Sequence, residues 1–259
     1  LTGDLFNLYV WLELMLVASL GLLVYRAGAR HLEATLKYFV LNALGTLLVL
    51  LGVAYLHAAT GHLGFGALAE AARALAPARL APFVVVVTLA LLVKAGAFPL
   101  FAWLPASYHT LPAPILALFA GLLTKVGVYA VLRLLGGVFP TTPDFVFEAL
   151  AVLAAATMLV GVLGAAYHWD VRRILAFHII SQIGYMLLGI ALASEPGYVG
   201  TIFYIVHHIV VKANLFLVAA IVFRLTGSYD LRRSGGLYAA RPGLALLFAV
   251  PALSLVGIP

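Results

Sequence analysis

The sequence predicts an all-α polytopic membrane protein, and three observations carry that expectation. Hydrophobic residues make up 65% of the 259 and charged residues only 9%, against roughly 45–50% apolar and about 25% charged in soluble domains. The mean hydropathy is +1.14. Apolar runs of about 20 residues, enough to cross ~30 Å of hydrocarbon at ~1.5 Å per residue, recur along the whole chain. They leave no stretch for a separate soluble domain, so residues 1–259 read as one transmembrane domain.

Eight segments can be marked in order. The first, about 5 to 25, carries Glu13 in "YVWLELML"; the second, about 37 to 58, has Lys37 at its edge. The stretch 63 to 80, "LGFGALAEAARALAPARL", sets Glu70, Arg73 and Arg79 among alanines and leucines and predicts a short amphipathic helix at the interface. The third segment, about 81 to 105, contains Lys94, Gly96 and Pro99, and the fourth, about 113 to 135, contains Lys125. A fifth runs from about 145 to 168 and a sixth from about 172 to 193, with His178, Ser181, Gln182 and Tyr185 inside. The seventh, about 198 to 224, carries His207, His208 and Lys212, and part of an eighth starts at 243. Because the first apolar run begins at once, with no basic leader or cleavage site, and the end falls inside another, the chain reads as an internal piece of a longer protein.

Composition also excludes function classes. Without cysteine there are no disulfides, thiolate zinc sites or cysteine-ligated iron–sulfur clusters. The basic residues behind the net charge of +6 are scattered between apolar runs instead of forming one basic face, which argues against nucleic acid. Haem held by His178, His207 or His208 is disfavoured, because lysines at the same depth would have no role in it. No cofactor, metal or catalytic group is expected.

If the segments alternate in direction, Arg26, Arg30, Lys37, Arg172, Arg173, Arg224, Arg232, Arg233 and Arg241 fall on one side, and Arg73, Arg79 and Arg133 on the other. The loop-charge rule puts the first set in the cytoplasm, so residue 1 is expected on the external face of the cell (plasma) membrane.

Against this background three lysines stand out. Every arginine lies at a segment end or in a loop, whereas Lys94, Lys125 and Lys212 lie near segment centres, about 15 Å from either interface. A charge there costs roughly 2.5–3.5 kcal/mol on insertion scales, and lysine, unlike arginine, can release its proton when buried. Reversible protonation is therefore the expected role. Glu13, the mid-segment carboxylate, is the expected acidic counterpart in a Glu–Lys pair across helices. In "IVHHIVVKANLF" His208 and Lys212 are spaced i,i+4 on one helix face; His207 points about 100° away, toward a neighbouring helix. The polar group around His178 more often joins helices than moves protons.

Gly96 and Pro99 predict a helix break beside Lys94, and broken membrane helices occur where backbone is buried in protein or lines a water-filled cavity. Gly257 and Pro259 repeat the pattern five segments later, in a segment running the opposite way, which is the mark of inverted repeats with a site between them.

The runs "DLFNLYVWLELM", "VKAGAFPLFAWLPASYHTLPAPILALFAGLLTKVGVYAVLR", "DVRRILAFHIISQIGYM" and "HHIVVKANLF" resemble, in order and over essentially the whole chain, the proton-conducting antiporter-type subunits shared by Mrp-type Na+/H+ antiporters and respiratory complex I. "WLPASYHTLPAPILALFAGLLTKVGVYA" is similar to the D-type subunits of the Mrp branch; complex I and membrane-bound hydrogenases are the alternative. The resemblance implies two inverted five-helix repeats with discontinuous helices, this chain holding family helices 5 to 11 and the start of 12. It implies that Glu13, Lys94, Lys125, His208 and Lys212 carry protons, in exchange for sodium, within a multisubunit complex in the lipid bilayer. The family's helix-12 lysine would lie beyond Pro259. His178 departs from the family's "AYSSISQ" pattern, which has a small residue there.

Overall fold

Asp4 opens the first helix, its carboxylate accepting from the Asn7 amide at 2.8 Å and satisfying one of the free donors of a helix start. The computed structural model describes residues 2–25, 28–139 and 141–257. Its helices are α1 (Leu5–Val24), α2 (Ala29–Thr60), α3 (Phe65–Ala74), α4 (Pro77–Ala95), α5 (Trp103–Tyr108), α6 (Ala113–Arg133), α7 (Asp144–Tyr167), α8 (Val171–Ala191), α9 (Glu195–Thr226), α10 (Leu237–Ala240) and α11 (Pro242–Val256). A π turn, Leu134–Val138, extends α6. Among the described residues seven helices are long and apolar enough to cross a membrane: α1, α2, α4, α6 with its π turn, α7, α8 and α9. Pro at the first turn suits the starts of α4, α9 and α11, where the missing amide would be unpaired in any case. Left-handed glycines Gly61 and Gly227 end α2 and α9.

Two helices outrun the hydropathy. α2 begins at Ala29 and α9 at Glu195, because helix continues through polar residues wherever i,i+4 partners and caps support it. Glu33 pairs with Lys37 on the first turns of α2, and Ser194 caps α9 by accepting from Gly197 N–H at 3.3 Å. α3 matches the amphipathic expectation, burying Phe65, Leu68, Ala69 and Ala72 while Glu70 and Arg73 face outward. Arg79 belongs instead to the first turn of α4.

The third segment breaks where the sequence expects it to: α4 stops at Ala95, Gly96 turns left-handed at φ +77°, and the chain crosses a turn before α5. Ala97 N–H returns to the Leu92 carbonyl at 3.0 Å and the Trp103 indole donates to the Val93 carbonyl at 3.0 Å, so the last turn is closed by its own cap. Gly96 therefore ends the helix, and Pro99 lies in the turn beyond it, joined to Phe98 by a cis peptide bond. Lys94, expected near the middle of a span, sits in the last turn of α4. α11 likewise ends at a left-handed glycine, Gly257 at φ +88°; Pro259 lies outside the described residues.

The helix ends sort into two sets. At one, His31 Nε2 meets the Thr110 carbonyl at 3.1 Å, and the Arg172 guanidinium lies 3.9 Å from the Tyr229 ring centre. At the other, Leu5 N–H donates to the Leu63 carbonyl at 2.9 Å and Arg133 lies over the Phe65 ring. Arg30, Lys37, Arg172 and Arg173 thus gather at the first end and Arg73 and Arg133 at the second, as alternating segments require; Arg26 lies outside the described residues. The most enclosed spans are α6 and α8. They carry the middle of the site.

Candidate functional site: a buried row of lysine and histidine

The charged interior is built where helices touch backbone to backbone. A Cβ on Gly127 of α6 would lie 2.5 Å from the Ala95 nitrogen and 2.9 Å from the Lys94 carbonyl carbon, so only glycine lets α4 abut α6 there. A Cβ on Gly121 would stand 3.6 Å from the Ile209 carbonyl of α9. Lys125 lies between these two glycines on α6. Two glycine contacts thus bring the backbones of α4 and α9 against the helix that carries Lys125.

Each lysine has its own surroundings. Lys94, 3% exposed, donates to the Thr46 hydroxyl of α2 at 2.7 Å, and Thr46 in turn donates to the Asn42 carbonyl at 2.7 Å. Its place at the C-terminal end of α4 also sets it against the negative pole of the helix, which favours a cation. Lys125, 3% exposed, donates to the Ala120 carbonyl of its own helix. Lys212 is 0% exposed, and its Nζ lies 3.0 Å from His178 Nδ1 on α8. One turn before it, His208 is 0% exposed and neither ring nitrogen has a partner in the protein. Lys125, Lys212 and His178 all lie close enough for their charges to act on His208.

Glu13 does not form the expected ion pair. It is half-buried on α1, and among the described residues the ion pairs are Glu33–Lys37, Asp170–Arg172 and Asp230–Arg232. Its charge still acts on Lys94 from beyond ion-pair distance. The reason is the early end of α4: the Lys94 ammonium turns to Thr46 on α2 instead of toward α1. His207 meets its expectation, with Nε2 2.7 Å from the Ser254 hydroxyl of α11. Gln182 accepts from the Tyr204 hydroxyl and joins α8 to α9. Sequence reasoning misses Thr46, which carries no signal among apolar neighbours, and the pairing of His178 with Lys212, whose signal is a histidine buried in an apolar segment.

At the basic end a cavity of about 640 Å³ opens between α2, α5 and α8, lined by Arg30, Glu33, Lys37, His109, His168 and Arg173. His109 donates through Nδ1 to the Pro105 carbonyl at 2.9 Å and accepts at Nε2 from Arg173 at 3.4 Å. Burial, with Arg173 and Arg172 beside it, holds His109 below the ordinary histidine value despite its bond to Pro105. Burial also lowers His168, with Arg173 adding to the effect. For Asp170 burial pushes upward, yet the hydrogen bonds and charge of Arg172 leave it below the usual carboxylate range.

Chemically, the interior holds nitrogen groups of a kind that can carry a proton, and two histidine nitrogens with no partner in the protein. A buried polar group without a partner costs about 1–3 kcal/mol, so a site that keeps one invites an occupant.

Known proteins resemble this chain in sequence and in fold. Residues 2–259 match the family described as "NADH:quinone oxidoreductase/Mrp antiporter, TM". The D-type subunit of the Na(+)/H(+) antiporter of Alkalihalophilus pseudofirmus is 45% identical over 260 residues, covering 100% of this chain and 53% of that protein. Its namesake from Bacillus subtilis is 38% identical, with the same coverage. Among solved structures, a chain of the Mrp complex from Dietzia sp. DQ12-45-1b superposes with a TM-score of 0.90 at 38% identity, over 100% of this chain and 49% of that one. A chain of the membrane-bound sulfane sulfur reductase, an archaeal respiratory membrane complex, gives 0.91 at 29% identity, over 100% and 53%. The chain spans about half the length of these relatives. A multi-pass helical chain with charges clamped between close helices and a sequence matched over 2–259, it belongs to the NADH:quinone oxidoreductase/Mrp antiporter transmembrane family.

Proposed function

We propose that the chain is the proton-carrying part of a D-type subunit in a multisubunit Na+/H+ antiporter of the plasma membrane, with protons passing between Glu13, Lys94, Lys125, His208 and Lys212. The observation that carries this reading is the triplet Lys125, His208 and Lys212, sealed inside the helices with both His208 nitrogens unpartnered. A permanent structural charge would be expected to have its hydrogen bonds filled and a counter-ion beside it. Here cations face cations, an arrangement that favours one proton being shared and passed over all groups being charged together. The names of the relatives support the antiporter assignment and the partnership with other subunits. The basic end faces the cytoplasm in this reading, and its cavity is the aqueous mouth on that side.

The test is Na+-driven proton flux in everted vesicles carrying the complete complex, wild type against Lys94→Ala. The expected result is a fall of about 10²-fold or more with normal assembly, the range seen when a positioned proton-transfer group is removed. Unchanged flux would reduce Lys94 to a structural role. The fit to a chain of an archaeal respiratory complex favours a second reading, the same machine in a redox-driven pump; flux that appears only when a reductant is added would select it.

A further inference from the structure

We propose that His178 is itself a proton-transfer group, exchanging a proton with Lys212 along their shared hydrogen bond and extending the row from α9 onto α8. The inference rests on the relay reading above and adds to it a residue and a direction.

The geometry is specific. Lys212 Nζ and His178 Nδ1 are 3.0 Å apart, a normal donor–acceptor distance, and Lys212 is wholly enclosed while His178 is half-buried. Helices α8 and α9 are drawn together by small residues: a Cβ on Gly197 would lie 3.2 Å from the Leu192 side chain, and one on Gly189 3.0 Å from the Gly197 carbonyl oxygen. These contacts tie the two helices at their connected ends, and α8 packs against α9 beyond them. An ammonium has donors only, so a charged Lys212 needs the Nδ1 lone pair and the imidazole carries its hydrogen on Nε2. Transfer breaks the Nζ–H bond and forms Nδ1–H, leaving a neutral amine and an imidazolium. The imidazolium then loses its Nε2 proton to water, and no electron or further reagent is required. His178 is the one of the two with a partly open surface, so it gives the sealed lysine a way out.

The groups around His178 suit this role. From α9 come Lys212 and His208; Lys125 of α6 acts on the same His208, and His109 at the end of α5 is occupied with Pro105 and Arg173. α7 brings Thr157, already bonded to the Leu153 carbonyl and to Phe98 N–H, while its Asp144 and Glu148 lie in its first turns at the far end. Among the described residues, none of these helices sets a carboxylate at this level to trap the imidazolium.

The test is His178→Asn in the complete antiporter complex, measured beside Lys212→Ala. Asparagine places an oxygen near the Nδ1 position and still accepts from Lys212, but it carries no proton. The expected result is a loss of about tenfold or more in Na+-driven proton flux, with normal assembly and a flux-versus-pH curve of changed shape. Full flux with an unchanged curve in His178→Asn, when Lys212→Ala is inactive, would overturn this inference and leave the relay standing. Full flux in both would overturn the relay itself. If His178→Asn fails to assemble, His178→Gln is read in the same way.

Discussion

Lys94 and Lys212 are both buried ammonium groups, yet the protein holds them in opposite ways. Lys94 ends a broken helix, faces the negative pole of α4 and donates to a hydroxyl that has no useful proton affinity. Lys212 lies inside α9, a 32-residue helix without a break, and meets an imidazole that can take its proton. In the proposed relay the first setting stabilises the charge and the second gives it somewhere to go. A row with both kinds of station can load at one end and unload at the other. The difference also explains why a single lysine motif is a poor guide: the chemistry is in the neighbour, not in the lysine.

The strongest way to break this comparison is to spoil one station's packing while sparing the other. Gly127→Leu puts a side chain where even a Cβ meets the Ala95 backbone at 2.5 Å. Backbone cannot swing aside as a side chain can, and overpacking of this sort costs about 1–3 kcal/mol or more. The expected outcome is loss of assembled complex on native gels, or an assembled complex without flux. Gly21→Leu on α1, where a Cβ meets nothing within 4 Å, should assemble and transport as wild type. Equal behaviour of the two variants would mean that the α4–α6 contact does not position Lys94.

A smaller effect is expected from Thr46. Thr46→Val keeps the shape and removes the acceptor of the Lys94 ammonium, leaving a buried charge short of a hydrogen bond at a cost of about 1–3 kcal/mol. Flux should fall by several-fold and the complex should melt earlier, while Thr46→Ser should restore both. If valine and serine behave alike, the Lys94 ammonium has other support and its station is not fixed by α2.

Much of this is legible in the sequence, for physical reasons that differ by residue. Seven apolar runs of spanning length, the amphipathic α3 and the two-ended sorting of arginines follow from transfer energies, which act residue by residue. Lys94, Lys125 and Lys212 are visible because a charge in an apolar run has few innocent explanations. The illegible part is tertiary. Gly96 and not Pro99 ends α4, because a left-handed cap closed by Ala97 N–H and the Trp103 indole stops a helix before proline chemistry applies. Elimination alone gives Glu13 a lysine partner, yet α2 packs against both α1 and α4 and its Thr46 takes the bond. His178 looks like an oddity of one segment, since nothing local announces a lysine on the next helix 34 residues away.

The last prediction sharpens the comparison with a histidine that sits outside the row. His109 also faces a cation, but its partner is Arg173, which keeps its proton at all working pH values. That contact cannot exchange a proton, so His109 should be static where His178 is active. Its folded-state value is lowered below 6.5, first by burial and then by the neighbouring arginines. A lowered value means that the neutral form is the stabilising one, so the contribution is complete above about 6.5 and is lost as pH falls below it. In detergent-solubilised complex, wild type should therefore lose thermal stability on acidification more steeply than His109→Gln, while at pH 8 the variant is the less stable of the two. The shape of the flux-versus-pH curve should not change, in contrast to His178→Asn. Parallel melting curves at every pH would show that His109 does not titrate with folding, and a reshaped flux curve would place it in the proton path after all.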